Sequence, residues 1–309
     1  MPITKEVAVF PAEMKRSAYK MVINGEPVDA AGGETFHVYN PATGEAIATV
    51  PKADDADVDR AVEAARHAFE HGKWRRYPVG KRARVLNKIA SIMRSRFDAL
   101  VEMEILNTGK TIETAKGQVM QAIEDFEFFA GVIVGHRGAV NHVPGQFFNY
   151  TQKEPVGVAA QIIPWNYPLM MAAWKIAPAI AAGCSVVVKP ASLTPITAIL
   201  LAEICHEAGV PAGVVNVITG PGAKIGSYLA KHEGVDKIAF TGETSTGKEI
   251  MANASETLKR VTLELGGKSP NLVFQDADLD AAVNGALYGI FYNTGQSCEA
   301  RSRLFLQEE

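Results

Sequence analysis

The chain has 309 residues, of which 47% are hydrophobic and 21% are charged, so its composition is that of a globular protein with room for about two domains. Its 31 basic and 34 acidic residues give a formal net charge of −3 without any long run of like charges, which argues against a nucleic-acid partner. The longest apolar stretch, residues 176–188, is interrupted by Pro178 and Gly183 and is shorter than the ~20 residues of a membrane-spanning helix. We therefore expect neither nucleic-acid binding nor membrane insertion.

The amino-terminal segment and the cysteine content bear on the cellular compartment. Residues 1–6 include an early acidic residue and are not followed by an apolar signal-peptide core, which predicts a cytoplasmic protein. Three cysteines cannot form a disulfide framework, and no Cys/His cluster has the spacing of zinc ligands, so no metal site is expected. A functional cysteine in this chain is therefore expected to be a reduced, reactive thiol.

The first half of the chain predicts short strands, then a helical layer, then a hairpin. Residues 1–53 contain strand-like segments separated by turns, and from Asp54 the apolar residues take helical spacing. Three helices are predicted: one from a cap at Asp54 or Asp55 to about residue 71, one over 85–100 and one over 112–130. Aromatic residues and glycines after these helices predict a hairpin within 135–152.

The second half alternates strictly between short apolar segments and helical ones. Strands are predicted over 156–163, 185–188, 214–218, 237–240 and 261–265, and helices over 169–182, 194–209, 223–231 and 245–254. Such alternation is typical of a doubly wound α/β fold with a parallel sheet. Ligands bind these sheets at the carboxyl ends of the strands, which is where polar residues and glycines concentrate in this chain.

Two glycine-rich segments follow strands and open helices. Gly220, Gly222 and Gly226 approximate a dinucleotide-binding fingerprint, although three residues rather than two separate the last pair, and an ordinary glycine turn is the alternative. Residues 242–248 copy most of a phosphate-loop pattern, but Glu249 stands where Mg²⁺ needs a hydroxyl, which disfavours a nucleotide triphosphatase. Because helix N-termini offer free N–H groups to a pyrophosphate, the two turns together favour a dinucleotide.

The candidate nucleophile and its base lie near the end of the chain. Cys298 occupies a polar, glycine-bearing segment, whereas Cys184 and Cys205 fall in apolar patterns typical of core packing. No histidine has a visible partner for Cys/His chemistry. Glu264 ends an apolar strand before two glycines, where burial would raise the pKa of its carboxyl group towards that of a general base; a structural cap on the turn is the alternative.

Five short motifs then follow one another along the chain. They are Pro164-Trp165-Asn166, Lys189-Pro190-Ala191, Phe240-Thr241-Gly242, Glu264-Leu265-Gly266-Gly267-Lys268-Ser269-Pro270 and Gly295-Gln296-Ser297-Cys298. In this order they resemble the aldehyde dehydrogenase superfamily, and the likeness covers nearly the whole chain, including Asn40-Pro41-Ala42-Thr43-Gly44-Glu45. The resemblance implies oxidation of an aldehyde to a carboxylic acid with NAD or NADP, on a Rossmann-like parallel sheet.

The resemblance assigns four catalytic roles. Cys298 would attack the aldehyde carbonyl to give a thiohemiacetal, whose oxyanion would be held by the side-chain amide of Asn166 and the backbone N–H of Cys298. Loss of hydride would leave a thioester, and Glu264 would activate the water that hydrolyses it. Lys175 matches a lysine thought to support the proton relay, with an ordinary surface charge as the alternative.

The resemblance also implies a cofactor site and its selectivity. Lys189 would bind the adenosine ribose and Trp165 would line the pyrophosphate path. Ser192 stands where many NAD-selective members have an acid, so tolerance of NADP is expected. Glu243 replaces a commoner serine, and a hydroxyl contact is lost there. The expected cofactor-binding residues are Ile162, Ile163, Pro164, Trp165, Lys189, Ser192, Gly222, Gly226, Thr241, Gly242, Glu243, Gly247 and Leu265.

Two aromatic residues bear on the substrate. Tyr167 and Trp174 match tunnel positions of the betaine aldehyde and aminoaldehyde dehydrogenases, where aromatic rings attract a cationic head group. Core packing is the alternative reading of both.

The resemblance finally divides the chain into parts. It implies a dinucleotide-binding domain over 1–134 and 153–264, an oligomerisation hairpin over 135–152 and the beginning of a catalytic domain over 265–309. Family members continue beyond the cysteine, so we expect a C-terminally truncated chain and a homo-oligomer in the intact form. The alternative function is a catalytically incompetent fragment that binds dinucleotide or pairs with relatives.

Overall fold

A computed structural model describes residues 13–308. Its strands are β1 (Met21–Ile23), β2 (Glu26–Val28), β3 (Thr35–Tyr39), β4 (Ala46–Pro51), β5 (Val140–Asn141), β6 (Asn149–Tyr150), β7 (Val158–Ile162), β8 (Ser185–Lys189), β9 (Val215–Val217), β10 (Lys237–Gly242), β11 (Arg260–Leu265), β12 (Pro270–Val273) and β13 (Arg303–Leu306). Its α-helices are α1 (Asp55–Glu70), α2 (Val79–Ser95), α3 (Phe97–Thr108), α4 (Ile112–Gly135), α5 (Pro168–Ala182), α6 (Ile196–Ala208), α7 (Ser227–Lys231), α8 (Thr244–Ala254) and α9 (Leu279–Phe291). The amino-terminal residues on which the expected cytoplasmic location rests lie outside the described range. No helix within that range is both long enough and apolar enough to cross a membrane.

A seven-stranded sheet, in the order β11-β10-β7-β8-β9-β1-β2, organises the molecule. The strands from β7 to β11 pair in parallel, which confirms the predicted doubly wound α/β sheet. Strands β1 and β2 extend the sheet in antiparallel orientation beside β9. The sequence pattern did not predict this extension, because the pairing of β1 with β9 joins segments almost 200 residues apart.

The two faces of the sheet belong to two apolar cores. Val186 and Val188 of β8 pack into the core that also holds helices α2 to α6, whereas Val187 packs into the core on the side of α1, α7 and α8. Successive side chains of a strand point to opposite faces. Both faces of β8 are therefore covered by helices, which explains why its apolar run is continuous.

The helical layer contains one break that the sequence pattern does not show. The prediction of one continuous helix over 85–100 is wrong. Helix α2 ends at Ser95 and α3 begins at Phe97, because Arg96 between them takes a non-helical conformation (φ −111°, ψ 19°). Leu100 is buried in the same core as α2, so apolar spacing continues across the break. Helix α1 agrees with prediction, since Asp54 forms a capping box with Asp57.

The hairpin predicted within 135–152 is confirmed as the antiparallel pair β5 and β6, with Val140 opposite Tyr150. Beyond the large sheet, β12 and β13 form a separate parallel pair, connected through α9. Apolar side chains of this last segment are exposed; they include Phe274, Leu279, Phe291 and Phe305.

Candidate active site

Strand register brings the predicted site residues to one edge of the sheet. In the parallel ladders, Ile162 of β7 lies opposite both Lys189 of β8 and Phe240 of β10. Thr241 of β10 in turn lies opposite Glu264 of β11. The carboxyl ends of four strands therefore meet, as expected for the ligand site of a doubly wound sheet.

A cavity of about 490 Å³ opens at this edge and brings together three of the four predicted catalytic residues, Asn166, Glu264 and Cys298. Its other lining residues are Pro164, Trp165, Tyr167, Met171, Thr241, Gly242, Glu243, Leu265, Gly266, Gly295, Gln296 and Ser297. The nucleophile segment and the strand ends, far apart in sequence, thus form a single site.

Cys298 is the cysteine available for chemistry. It is exposed, whereas Cys184 and Cys205 are buried. Burial raises the pKa of both buried thiols, so they resist forming the reactive thiolate. The preceding backbone is strained, because Asn293 and Thr294 adopt left-handed conformations with φ of 52° and 57°. A left-handed backbone is unfavourable for a residue other than glycine, and most of all for a β-branched one such as Thr294. Strain of this kind is typical of functional loops.

Asn166 lies between β7 and the start of α5 and points its side chain at the nucleophile loop. Its Nδ2 donates a hydrogen bond of 2.9 Å to the carbonyl oxygen of Gln296, two residues before Cys298. A carboxamide nitrogen carries two N–H donors, so one remains for a ligand in the cavity.

Glu264 lies on the cavity wall, but the burial expected for it is wrong. The residue is exposed, because β11 forms the outer edge of the large sheet and its residues alternate between exposed and half-buried. Lys175 is half-buried and does not line the cavity. Burial lowers the pKa of Lys175 to about 8, and attraction to the Glu264 carboxylate opposes this shift.

The two aromatic residues predicted to face the substrate differ in their placement. Tyr167 is buried and lines the cavity, whereas Trp174 is 47% exposed and does not line it. Tyr167 is the residue immediately before α5, with a non-helical backbone, and Trp174 lies in the middle of that helix.

A second cavity of about 420 Å³ continues from the first, since Thr241 lines both. Seven of the predicted cofactor residues line this groove: Ile162, Ile163, Lys189, Ser192, Gly222, Gly226 and Thr241. Another five line the first cavity: Pro164, Trp165, Gly242, Glu243 and Leu265. Gly247 lines neither cavity; a Cβ there would lie 2.6 Å from Leu265 Cδ2, so the glycine permits α8 to approach Leu265.

Two buried polar groups of the groove, on Lys189 and Thr241, fit an anionic, hydroxyl-bearing ligand, while the carboxylate of Glu249 also lines the groove. Lys189 is 3% exposed, and burial lowers its pKa to about 8. Among the described residues its ammonium has no carboxylate or carbonyl partner, and a Cβ on Gly222 would lie 3.4 Å from its Nζ. Thr241 Oγ1 is likewise buried without a hydrogen-bond partner in the described chain. Buried polar atoms facing a cavity are arranged for a ligand that completes them.

A buried polar network next to the cavity was not predicted from the sequence. Glu104, Lys110, Gln118 and Asn293 are each at most 4% exposed and are linked by hydrogen bonds. One signal in the sequence could have indicated it: Gln118 is a polar residue next to Val119, on the apolar side of α4 that is buried in the core. The remaining partners come from three other elements and share no local pattern.

Comparison with known proteins identifies the relatives of this chain. Residues 28–309 match the profile of the aldehyde dehydrogenase family. Human retinal dehydrogenase 2 is 49% identical over 292 residues, which are 94% of this chain and 56% of that protein. An NAD⁺ complex of an aldehyde dehydrogenase from Bacillus cereus superposes with a TM-score of 0.92 at 45% identity, covering 94% of this chain and 59% of that one.

A betaine aldehyde dehydrogenase from Staphylococcus aureus, also in complex with NAD⁺, gives a TM-score of 0.92 at 41% identity and covers 94% of this chain and 58% of that one. The chain thus spans less than two thirds of the length of these relatives. Its fold and its five motifs, which line two cavities that share Thr241, agree with this match, and the chain belongs to the aldehyde dehydrogenase family.

Proposed function

We propose that this chain carries the cofactor domain and nucleophile of an enzyme that oxidises an aldehyde to a carboxylic acid with NAD or NADP. The observation that carries the proposal is the shared cavity of Cys298, Asn166 and Glu264, which continues through Thr241 into the groove of Lys189. A nucleophile, an oxyanion donor and a base therefore adjoin a site for an anionic ligand of dinucleotide size.

The first step forms a carbon–sulfur bond. The thiolate of Cys298 adds to the aldehyde carbonyl, and the electron pair of the C=O bond moves to oxygen to give a thiohemiacetal anion. The second N–H of Asn166 Nδ2 and the backbone N–H of Cys298 stabilise this oxyanion. Because the amide is already fixed against Gln296, little reorganisation is needed as the charge develops.

The second half of the reaction releases the acid. NAD or NADP, when bound, would supply the hydride acceptor for the conversion of the thiohemiacetal into a thioester. Glu264 then removes a proton from water, the resulting hydroxide attacks the thioester carbonyl, and Cys298 leaves as thiolate.

The groove supports a dinucleotide without deciding between NAD and NADP. Lys189 Nζ and Ser192 lie on its wall, where they would meet the adenosine ribose, and Trp165 lies on the path to the first cavity. Ser192 Oγ donates to the carbonyl oxygen of Gly220 at 2.8 Å, so no acid occupies this position to repel a 2′-phosphate. The residues thus suit NAD and tolerate NADP.

For the substrate we propose a small aldehyde with a cationic head, such as betaine aldehyde or an aminoaldehyde. The support is the aromatic ring of Tyr167 in the cavity and the exposed ring of Trp174 on the helix that follows it. Relatives of this chain are named for both retinal and betaine aldehyde, so family membership does not select the substrate.

We also propose that the hairpin of β5 and β6 pairs with another copy in a cytoplasmic homo-oligomer. Its aromatic side chains are unusually exposed, with Phe147 at 78% and Phe148 at 76%. Apolar surface of this kind is typical of a contact with another chain.

The test is NAD(P)H formation, followed by absorbance, with the purified chain, NAD⁺ or NADP⁺, and acetaldehyde or betaine aldehyde. Turnover that disappears in Cys298→Ala supports the proposed reaction, and Cys184→Ala serves as the matched control that keeps turnover. Cofactor binding without turnover, equal in wild type and Cys298→Ala, would instead support the alternative of a dinucleotide-binding fragment without catalytic competence.

A further inference from the structure

The network beside the active site joins three elements of the helical layer to the nucleophile loop. Glu104 lies on α3, Lys110 in the connection to α4, Gln118 on α4 and Asn293 in the loop that leads to Cys298. Their exposures are 1%, 4%, 2% and 2%. Buried polar groups are costly unless they are satisfied, so a network of four at this depth requires a reason.

The network starts from a buried ion pair. Lys110 Nζ lies 2.8 Å from Glu104 Oε2, and it also donates to Gln118 Oε1 and, at 3.3 Å, to the main-chain oxygen of Asn166. Glu104 Oε1 is in turn fixed by the hydroxyl of Thr197 at 2.7 Å. The position of the lysine ammonium is thus fixed by several partners at once.

The network continues to the nucleophile loop through one amide. Gln118 Nε2 donates to Asn293 Oδ1 at 3.2 Å, which fixes the orientation of the Asn293 carboxamide. Asn293 Nδ2 then donates to the main-chain oxygens of Asn166 at 3.2 Å and Gln296 at 3.1 Å. The oxyanion donor and the nucleophile loop therefore share one anchor.

From these contacts we propose that Gln118 and Asn293, anchored by the Lys110–Glu104 pair, are positioning residues that hold the Asn166 carboxamide in register with Cys298. Two donors fix the main chain of Asn166, and the carbonyl that receives its side-chain N–H, that of Gln296, is fixed by Asn293 as well. An oxyanion donor acts only if it is placed before the charge develops, and displacement by about 1 Å costs up to ~100-fold in rate. The inference rests on the proposed function for its catalytic meaning, but the geometry it predicts is measurable without turnover.

Gln118→Met is the decisive variant. It removes both hydrogen bonds of the amide at similar volume, whereas replacing Lys110 would leave the Glu104 carboxylate buried without its partner and endanger folding. Gln121→Met is the matched control, since Gln121 lies three residues further along α4 and, within residues 13–308, its amide bonds to Asp125 alone. Asn293→Gly is a second variant, because glycine accepts the left-handed backbone of this position while removing the amide.

Three measurements are made on the full chain. The acylation rate of Cys298 by p-nitrophenyl acetate needs the oxyanion donor, because the thiolate displaces p-nitrophenolate through a tetrahedral intermediate. Alkylation of Cys298 by iodoacetamide needs only the thiolate, because it displaces iodide without an oxyanion. The side-chain amide resonance of Asn166, labelled with ¹⁵N and assigned with Asn166→Ala, reports its hydrogen bonding directly.

We expect Gln118→Met and Asn293→Gly to lower the acylation rate about tenfold, to leave the alkylation rate within about twofold, and to shift the Asn166 amide resonance. Gln121→Met should leave all three unchanged. Equal losses of acylation and alkylation would indicate a merely structural role and overturn the proposal, as would an unmoved Asn166 resonance. If the wild-type chain is not acylated at all, the proposed function fails for this chain, while the resonance still decides whether the network positions Asn166.

Discussion

At the scale of single residues, Lys189 is placed for ligand binding at the expense of the free energy of unfolding. A buried ammonium without a partner in the described chain destabilises the fold, because burial disfavours its charged form and lowers its pKa from 10.5 to about 8. Between these two values the unfolded chain binds the proton and the folded chain releases it, so stability rises with pH across this window. At pH 7 the lysine is charged in both the folded and the unfolded chain, so the folded protein is destabilised by the whole free energy of burying the charge.

We predict that Lys189→Met increases the free energy of unfolding at pH 7 by about 2–3 kcal/mol and weakens NAD⁺ binding. The gain in stability should shrink as the pH rises from 8 to 10.5, because the wild-type lysine becomes neutral in that range. Urea unfolding at pH 7 and pH 10, together with calorimetric titration of NAD⁺, measures both effects, and Lys248→Met on the exposed surface of α8 is the control. No gain at pH 7 would mean that the ammonium is compensated within the folded chain.

A second residue-scale prediction concerns cofactor preference at Ser192. Ser192→Glu places a carboxylate on the groove wall, where it would bond the ribose hydroxyls of NAD⁺ and repel the 2′-phosphate of NADP⁺. The ratio of the two dissociation constants should move towards NAD⁺ at least about fivefold, as expected for like charges partly exposed to solvent. Ser192→Gln, of the same size but neutral, should move it far less; an equal shift in both variants would assign the effect to size instead of charge.

At the scale of secondary-structure elements, α5 connects the site to the substrate. It starts immediately after Asn166 and Tyr167, and Trp174 lies within its first two turns. The sequence did not distinguish the two aromatic residues; the burial of Tyr167 and the exposure of Trp174 follow from how α5 packs on α4 and β7.

We predict that Trp174→Ala raises KM about threefold for betaine aldehyde and less for 3,3-dimethylbutanal, a neutral aldehyde of the same shape. A cation over a partly exposed ring gains about 0.5–1 kcal/mol, which the neutral analogue does not share. Steady-state kinetics with the two aldehydes provide the comparison. Equal increases in KM for both would show that Trp174 contributes packing alone.

At the scale of the whole molecule, exposed apolar surface concentrates on the hairpin and on the segment after β11. The hairpin of β5 and β6 projects its aromatic residues away from both apolar cores.

Replacing both Phe147 and Phe148 by Ser should raise the dissociation constant of the oligomer at least about tenfold, since each ring contributes about 1.5–3 kcal/mol when buried. Sedimentation velocity over a concentration series tests this, with the exposed Leu258→Ser as control, and an unchanged distribution would remove the hairpin from the interface.

Local sequence pattern is sufficient to predict the alternation of strands and helices, the capped start of α1, the hairpin and the five motifs, because each depends on residues close together in the chain. The same pattern distinguishes Cys298 from two cysteines in apolar segments. Folding into three dimensions sets the antiparallel edge of the sheet, the break at Arg96, the exposure of Glu264 and the network from Glu104 to Asn293. These depend on contacts between distant segments, which local pattern does not encode, and burial is a property of the packed molecule. The composition of this chain allowed about two domains, and the packing shows one large sheet with two cores and a smaller parallel pair beside it.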